Sequence, residues 1–224
     1  MNKSIFPNLL TAANLAFGVI GIAFAAKGEP VYAAICVLLS LVADGLDGRV
    51  ARALGVSGPM GRELDSLSDV VGFGVAPAFM LFYSQLNDLS WLGYVPLLVF
   101  AVLGAFRLAR FNIMTEEVHG YFQGLPIPAA GCFAATYVLS GVLVPQWLLM
   151  VLMIAVGVLM VSNVKYPDFK GSSAVTINKL AILIVAVLAI IGLVINWHAW
   201  PVLIFASYIL FGVVNSSINA FKQL

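Results

Sequence analysis

The sequence is a succession of apolar stretches, each about as long as a bilayer is thick. A hydrocarbon core roughly 30 Å across needs about 20 residues of helix at 1.5 Å rise each. By that ruler eight candidate spans appear, at 9–26, 31–51, 62–84, 92–113, 127–144, 147–164, 177–196 and 200–218. Polar or turn-forming residues separate them: Gly28-Glu29-Pro30, Gly55 to Gly58, Gln85 to Ser90, Thr115 to Gly124, Pro145, Pro167 to Ser173 and Trp197 to Pro201. Only 9% of the 224 residues are charged, against about 25% in soluble domains. Such a chain cannot cover a globule with polar surface. The runs are too long and too many for the strands of a barrel, so the expected fold is all-α, a polytopic transmembrane bundle of about eight spans.

The remaining composition narrows the function. A formal net charge of +1 gives no field that would draw nucleic acid. Cys36 and Cys132 both lie in apolar runs and read as small buried hydrophobes. The first apolar stretch carries no cleavage site of the A-x-A type, so it reads as a span. One membrane domain over 1–224 is expected.

Orientation follows from the cations, because Lys and Arg accumulate on the cytoplasmic side. With eight spans, Lys3, Arg49, Arg52, Arg62, Arg107, Arg110, Lys165, Lys170, Lys179 and Lys222 share one side, and only Lys27 falls on the other. Both termini are therefore expected in the cytoplasm. Reading 127–164 as one bent element would spoil this asymmetry, which supports a break at Pro145. Trp91, Trp147, Trp197 and Trp200 fall near expected external ends, as in an aromatic belt.

The acids are concentrated. Asp44 and Asp47 lie in the second span, Asp65 and Asp69 in the third. Residues three or four apart share a helix face. Asp44, Asp47, Gly48, Ala51 and Arg52 thus form one stripe, and Gly61, Asp65 and Asp69 another. A short Gly-containing turn makes the two helices antiparallel neighbours, with the stripes able to face each other at the cytoplasmic end. Carboxylates at membrane depth mark a site. Four of them in a low-dielectric cleft must be protonated or neutralised by cations, and hard oxygen ligands suit Mg²⁺, Mn²⁺ or Ca²⁺. Two divalent ions would balance the acids and leave positions for phosphate oxygens. Gly48 and Gly61 leave room for a bulky ligand, and Arg52 offers a fork for phosphate. Plain salt bridging fails as an account, because one Arg on the stripe cannot balance four acids. A cation-coupled transporter would also place acids in a bundle. It should show a repeat, yet the acid-rich pair of spans has no counterpart in the second half.

The pattern Asp44-x-x-Asp47-Gly48-x-x-Ala51-Arg52, then eight residues, then Gly61-x-x-x-Asp65-x-x-x-Asp69 resembles the signature of the CDP-alcohol phosphotransferases at all eight positions. The resemblance implies two divalent cations, Mg²⁺ or Mn²⁺ with Ca²⁺ able to occupy the site, held by Asp44, Asp47, Asp65 and Asp69. It implies a CDP-linked donor contacted by Asn8, Thr11, Asp44, Gly48, Arg52, Gly61 and Ser66, and Asp69 as the general base. Further segments resemble the phosphatidylserine-forming branch: Pro7-Asn8-Leu9-Leu10-Thr11, Leu64 to Asp69 with Phe73 to Ala78, Phe106 to Asn112, Gly124 to Ala129, and Ser162 to Pro167. They imply CDP-diacylglycerol and L-serine as substrates, a homodimer in membrane lipid, and a six-helix core over about 1–170 with two added spans at about 177–218. Another acceptor, glycerol phosphate or inositol phosphate, would want a more basic pocket.

A serine acceptor needs its carboxylate bound. Arg107 and Arg110 end the fourth span on the cytoplasmic side, and either could clamp it or serve only as a positive-inside arginine. Asn112 and Lys165 are candidates by the same geography. Thr115 to His119 reads as a solvated loop with His119 outside the chemistry, and His198 as interfacial. The tails of the donor lipid need a lateral opening between spans. Pro77, Pro126 and Pro128 can bend backbone near the site, and Ala13, Gly18, Gly21 and Ala25 suit close packing of the first span.

Overall fold

The computed structural model describes residues 3–56, 58–114, 120–167 and 177–221. Thr115 to His119, Lys170 and Lys222 lie outside the described residues. The chain is built of helices. α1 (Ile5–Ala26) and α2 (Pro30–Leu54) form a hairpin. Gly28, at φ +76°, turns the corner, and Pro30 opens α2 at a position where no backbone donor is needed. α2 ends on Gly55, in the left-handed conformation at φ 64°.

The next rod is not a uniform α-helix. α3 (Pro59–Asp69) passes into a π-helical segment, Val70–Val75, then α4 (Ala76–Leu81) and a second π segment, Phe82–Leu86. A 3₁₀ stretch (Asn87–Gly93) contains Ser90 at φ 53°, ψ −137°, which breaks the rod before α5 (Tyr94–Met114). Pro77, at the start of α4, needs no helical donor partner and sits where the π segment resets the register. At the far end the Gln146 amide donates to the Gln85 carbonyl over 2.8 Å, satisfying a group near the end of the second π segment.

α6 (Ile127–Leu139) ends earlier than the apolar run 127–144 suggests, because Ser140 and Gly141, the latter at φ +65°, form a turn. α7 (Gln146–Val161), α8 (Lys179–Ile195) and α9 (Trp200–Phe221) complete the helices. The expected break at Pro145 is present, since Pro145 caps α7. Two three-residue strands, β1 (Tyr121–Gln123) and β2 (Lys165–Pro167), pair antiparallel with Phe122 opposite Tyr166. They add a small ribbon to the expected all-α fold.

Among the described residues, four helical stretches are long and apolar enough to cross a membrane: Ile5–Ala26, Pro30–Leu54, Pro59–Met114 and Trp197–Ala220. Ile127–Leu139, Gln146–Val161 and Lys179–Ile195 are apolar but shorter. Large apolar side chains face outward throughout; α8 exposes Val194 and Ile195 at 81% and 79%. A surface of that kind suits lipid, not water.

The interior is packed through small residues. α1 crosses the first π segment where Gly18 meets Gly72, and meets α2 where Gly21 faces Cys36. Gly131 of α6 lies on the Phe73 backbone, Gly104 of α5 against Ile127, and Gly157 of α7 against Val99. Glycine lets backbones approach where no hydrophobic force drives helices together in lipid. Phe73, Phe100, Ile127 and Met160 fill the space between. Tyr166 of β2 is also fully buried, its ring against Gly212 of α9 and its hydroxyl donating to the Ile209 carbonyl over 3.3 Å. This fixes the ribbon to the last helix. Cys36 and Cys132 are free and buried, as their apolar context suggests.

Candidate active site

Three helices deliver the site. Asp44 and Asp47 come from the second half of α2, and Asp65 and Asp69 from α3. One ligand oxygen each from Asp44, Asp47 and Asp65 lies within 4.8 Å of the others. Asp44 and Asp65 approach to hydrogen-bonding distance. Asp69 stands one turn beyond Asp65, outside this trio, yet within electrostatic reach of Asp44 and Asp65. Asp47 and Asp69 are buried.

The arrangement fits a divalent cation. Carboxylates this close repel unless a proton or cation lies between them. The Asp65 Oδ1 atom is buried with no hydrogen-bond partner, which would cost about 1–3 kcal/mol if permanent. Hard anionic oxygens are the donor set that Mg²⁺, Mn²⁺ and Ca²⁺ take.

α1 supplies the remaining wall. Thr11 Oγ1 lies 2.6 Å from Asp47 Oδ2 and 3.1 Å from the Pro7 carbonyl. A hydroxyl has one proton, and the shorter contact, to the carboxylate, is the stronger. One turn on, the Asn14 amide donates to Asp69 Oδ1 over 3.0 Å. The two donors at i and i+3 therefore each hold one acid of a different helix. The Ser40 hydroxyl of α2 donates to the Asn14 carbonyl over 3.1 Å, tying α1 to α2 at the same level.

Beside the trio opens a cleft of about 560 Å³, within the range of small-molecule sites. Asn8, Thr11, Asp47, Gly48, Arg52 and Gly61 are among its lining residues, together with Asp65. Arg52 is exposed, and a methyl on Gly48 would stand 3.4 Å from its Nη1. A methyl on Gly61 would stand 3.7 Å from Asn8 Oδ1. Of the expected nucleotide-contacting residues, Asn8, Thr11, Gly48, Arg52 and Gly61 line this opening, and Asp44 and Ser66 are not in its lining. Ser66 Oγ accepts from the Asn112 amide over 2.8 Å, which joins an expected donor-binding residue to an expected acceptor-binding one.

The acceptor candidates separate. Arg110 is spent on backbone: Nη1 donates to the Val161 carbonyl at 2.8 Å, and Nη2 to the carbonyls of Gln123 and Ser162 at 3.1 and 2.9 Å. It ties the end of α5 to the end of α7 and to β1. Arg107 is 4% exposed, its guanidinium 5.0 Å over the Phe111 ring and its Nε without a partner. The charge of Asp69 acts on it. Lys165 is exposed, with Nζ 4.8 Å over the Tyr121 ring. His198 stands in the turn between α8 and α9 and donates its backbone N–H to Asn196 Oδ1.

Asn14 was not among the residues singled out from the sequence. A signal was present: a buried amide at three from Thr11, inside a span, is the kind of polar residue that membrane helices keep for a purpose. Gly72 is the second omission. Its Cβ would stand 2.6 Å from Asn14 Oδ1, so the Asn14 contact exists only because residue 72 has no side chain.

The clustered acids thus lie beside a cleft that Arg52 and Arg62 both line. Residues 4–214 match the family model described as CDP-alcohol phosphatidyltransferase. The chain is 40% identical over 173 residues to a CDP-diacylglycerol–serine O-phosphatidyltransferase of Helicobacter pylori (strain ATCC 700392 / 26695), covering 74% of this chain and 73% of that protein. It is 41% identical over 162 residues to a protein of the same name from Methanocaldococcus jannaschii, covering 70% and 72%. It is 39% identical over 175 residues to an archaetidylserine synthase of Methanothermobacter thermautotrophicus, covering 76% and 72%. By these matches, the chain belongs to the CDP-alcohol phosphatidyltransferase family.

Proposed function

We propose that the chain transfers the phosphatidyl group of CDP-diacylglycerol to the hydroxyl of L-serine, giving phosphatidylserine and CMP. The observation that carries this reading is the Asp44, Asp47 and Asp65 trio beside a cleft that Asp47, Asp65, Gly48 and Arg52 line. Serine is the acceptor shared by the names of the relatives, whichever lipid those names give.

In this reading Asp44, Asp47 and Asp65, with Asp69, hold two divalent cations. Bound there, such cations would neutralise the diphosphate and stabilise both the attacking and the departing oxygen. The protein's own part is positioning and charge placement. Asn8, Thr11, Gly48 and Gly61 shape the nucleotide cleft, Arg52 pairs with phosphate, and Ser66 braces the acceptor side through Asn112. Asp69 takes the proton from the serine hydroxyl as the oxygen bonds to the phosphorus that carries the diacylglycerol. The bond from that phosphorus to the CMP oxygen breaks, and CMP leaves. Arg107, buried beside Asp69 with one N–H unused, receives the serine carboxylate. Arg110 builds the wall behind it.

The same reading sets the chain in the membrane as eight spans. The stretch Pro59–Met114 is 56 residues, about 84 Å of straight helix, and Ser90 breaks it into two crossings. Both termini and the acid cluster face the cytoplasm by the placement of cations. The chain forms one membrane domain, with a core over about 1–170 followed by α8 and α9, and a homodimer in lipid.

The test is metal-dependent turnover. Purified protein stripped with chelator should release no CMP from CDP-diacylglycerol and L-serine, and Mg²⁺ or Mn²⁺ should restore release. Full activity after stripping would remove the acids from the metal role.

A further inference from the structure

We propose that Asn14 is a positioning residue for Asp69, holding one carboxylate oxygen so that the other alone meets the acceptor hydroxyl. The inference rests on Asp69 being the base. Asn14 is fully buried, and its Nδ2 donates to Asp69 Oδ1 over 3.0 Å. An amide N–H is not a proton source at this site, so it holds Oδ1 without protonating it. Oδ2 is left as the oxygen that receives the serine proton.

The surroundings specify this contact. Ser40 anchors the Asn14 backbone, and Gly18 of α1 packs on Gly72 immediately below. Asn14 Oδ1 has no partner. It is pressed toward Gly72, where an added Cβ would stand 2.6 Å away, with Ser40 Oγ at 3.2 Å. An amide that was only filling space would be replaced at no loss by an apolar residue of its size, since leaving Oδ1 unsatisfied is unfavourable. The geometry instead keeps one donor aimed at Asp69, the residue immediately before a π-helical distortion begins. Distortions of this kind recur at functional sites.

Two substitutions remove the contact by different routes. Asn14→Leu keeps the bulk and deletes the donor. Gly72→Ala deletes no polar atom, but its methyl displaces Asn14 from Asp69. Each should lower kcat for phosphatidylserine formation roughly 10- to 100-fold, the range found for outer partners of functional carboxylates and ligands. The KM for serine and the affinity for CDP-diacylglycerol should stay as in the parent in both variants, and the melting temperature should stay so in Asn14→Leu, whereas the crowded methyl of Gly72→Ala should lower it. The double variant should be no slower than the slower single one, since both break one interaction. Parent-like kcat in folded Asn14→Leu, or losses that multiply in the double variant, would overturn the proposal. If Asn14→Leu does not fold, Gly72→Ala decides alone, and parent-like kcat there overturns it. Asp69→Asn, measured alongside, separates the two readings. If Asp69→Asn keeps its turnover, the base assignment fails. If it loses turnover while Asn14→Leu does not, only the positioning role fails.

Discussion

Arg110 donates to the carbonyl of Val161 across 2.8 Å, and its other terminal nitrogen reaches Gln123 and Ser162. A cation so engaged has little left for a substrate. Gly124 shapes the same corner: at φ +76° it lies against Met160, and an added Cβ would stand 2.9 Å from Arg110 Nη2. Replacing Arg110 by Ala leaves three carbonyls without this donor, at about 1–3 kcal/mol for each one buried and unsatisfied. Arg110→Ala should therefore melt earlier in detergent while its serine KM is unchanged. An unaltered melting curve with a raised serine KM would contradict this division of roles.

Arg107 should behave in the opposite way. Its loss removes a charge-assisted contact to the acceptor carboxylate, worth about 1.5–3 kcal/mol, which corresponds to roughly a 10- to 100-fold rise in serine KM. Steady-state kinetics of Arg107→Ala at saturating CDP-diacylglycerol measure it. Arg107→Lys should recover part of the loss, because charge returns without the fork. Parent-like KM values in both variants would return Arg107 to a structural role.

The Thr11 contact to Asp47 predicts an effect on cation binding. Thr11→Val keeps the shape and removes the hydroxyl. A hydrogen bond to a charged group contributes about 1.5–3 kcal/mol, so the Mn²⁺ concentration for half-maximal activity should shift by roughly tenfold or more. If titration with Mn²⁺ gives the parent curve, the hydroxyl does not orient Asp47.

Two glycines of different surroundings should part in stability. A methyl on Gly131 would stand 2.8 Å from the Phe73 carbonyl and 2.9 Å from its Cα, whereas Gly45 has open space. Gly131→Ala forces α6 off the π segment and should destabilise by about 1–3 kcal/mol. Gly45→Ala should be neutral or stabilising by up to about 1 kcal/mol, as helix propensity favours Ala. Equal melting temperatures for the two would contradict the packing described at Gly131.

Much of the helical layout and of the acid cluster is legible because it is local. Helix positions follow from apolar length, and the stripes from spacings of three and four. The turn at Gly28, the cap at Gly55 and the break before Gln146 follow from single residues. What escaped reading depends on contacts far apart in the chain. The ribbon pairs Phe122 with Tyr166, and neither segment is long enough to signal a strand. The first π segment replaces part of the span 62–84 where Gly72 and Gly74 pass α1, α5 and α6 closely, which no single-helix pattern encodes. Arg107 and Arg110 are alike on paper, and only the carbonyls at the end of α7 tell them apart. Asn14 carries a signal, an amide inside a span at three from Thr11, but its partner becomes visible only when α3 brings Asp69 to it.

The central claim, serine attack on a CDP-linked lipid at this acid cluster, is tested most directly by an acceptor panel. Purified protein in detergent or vesicles is given CDP-diacylglycerol and Mn²⁺ or Mg²⁺, with L-serine, glycerol 3-phosphate or inositol phosphate in parallel, and CMP and lipid product are measured. The account predicts CMP and phosphatidylserine in equal amounts with serine alone, and no turnover in Asp69→Asn although that variant still binds the donor. CMP release only with another acceptor would contradict the serine assignment, and no release with any acceptor would contradict the reaction itself.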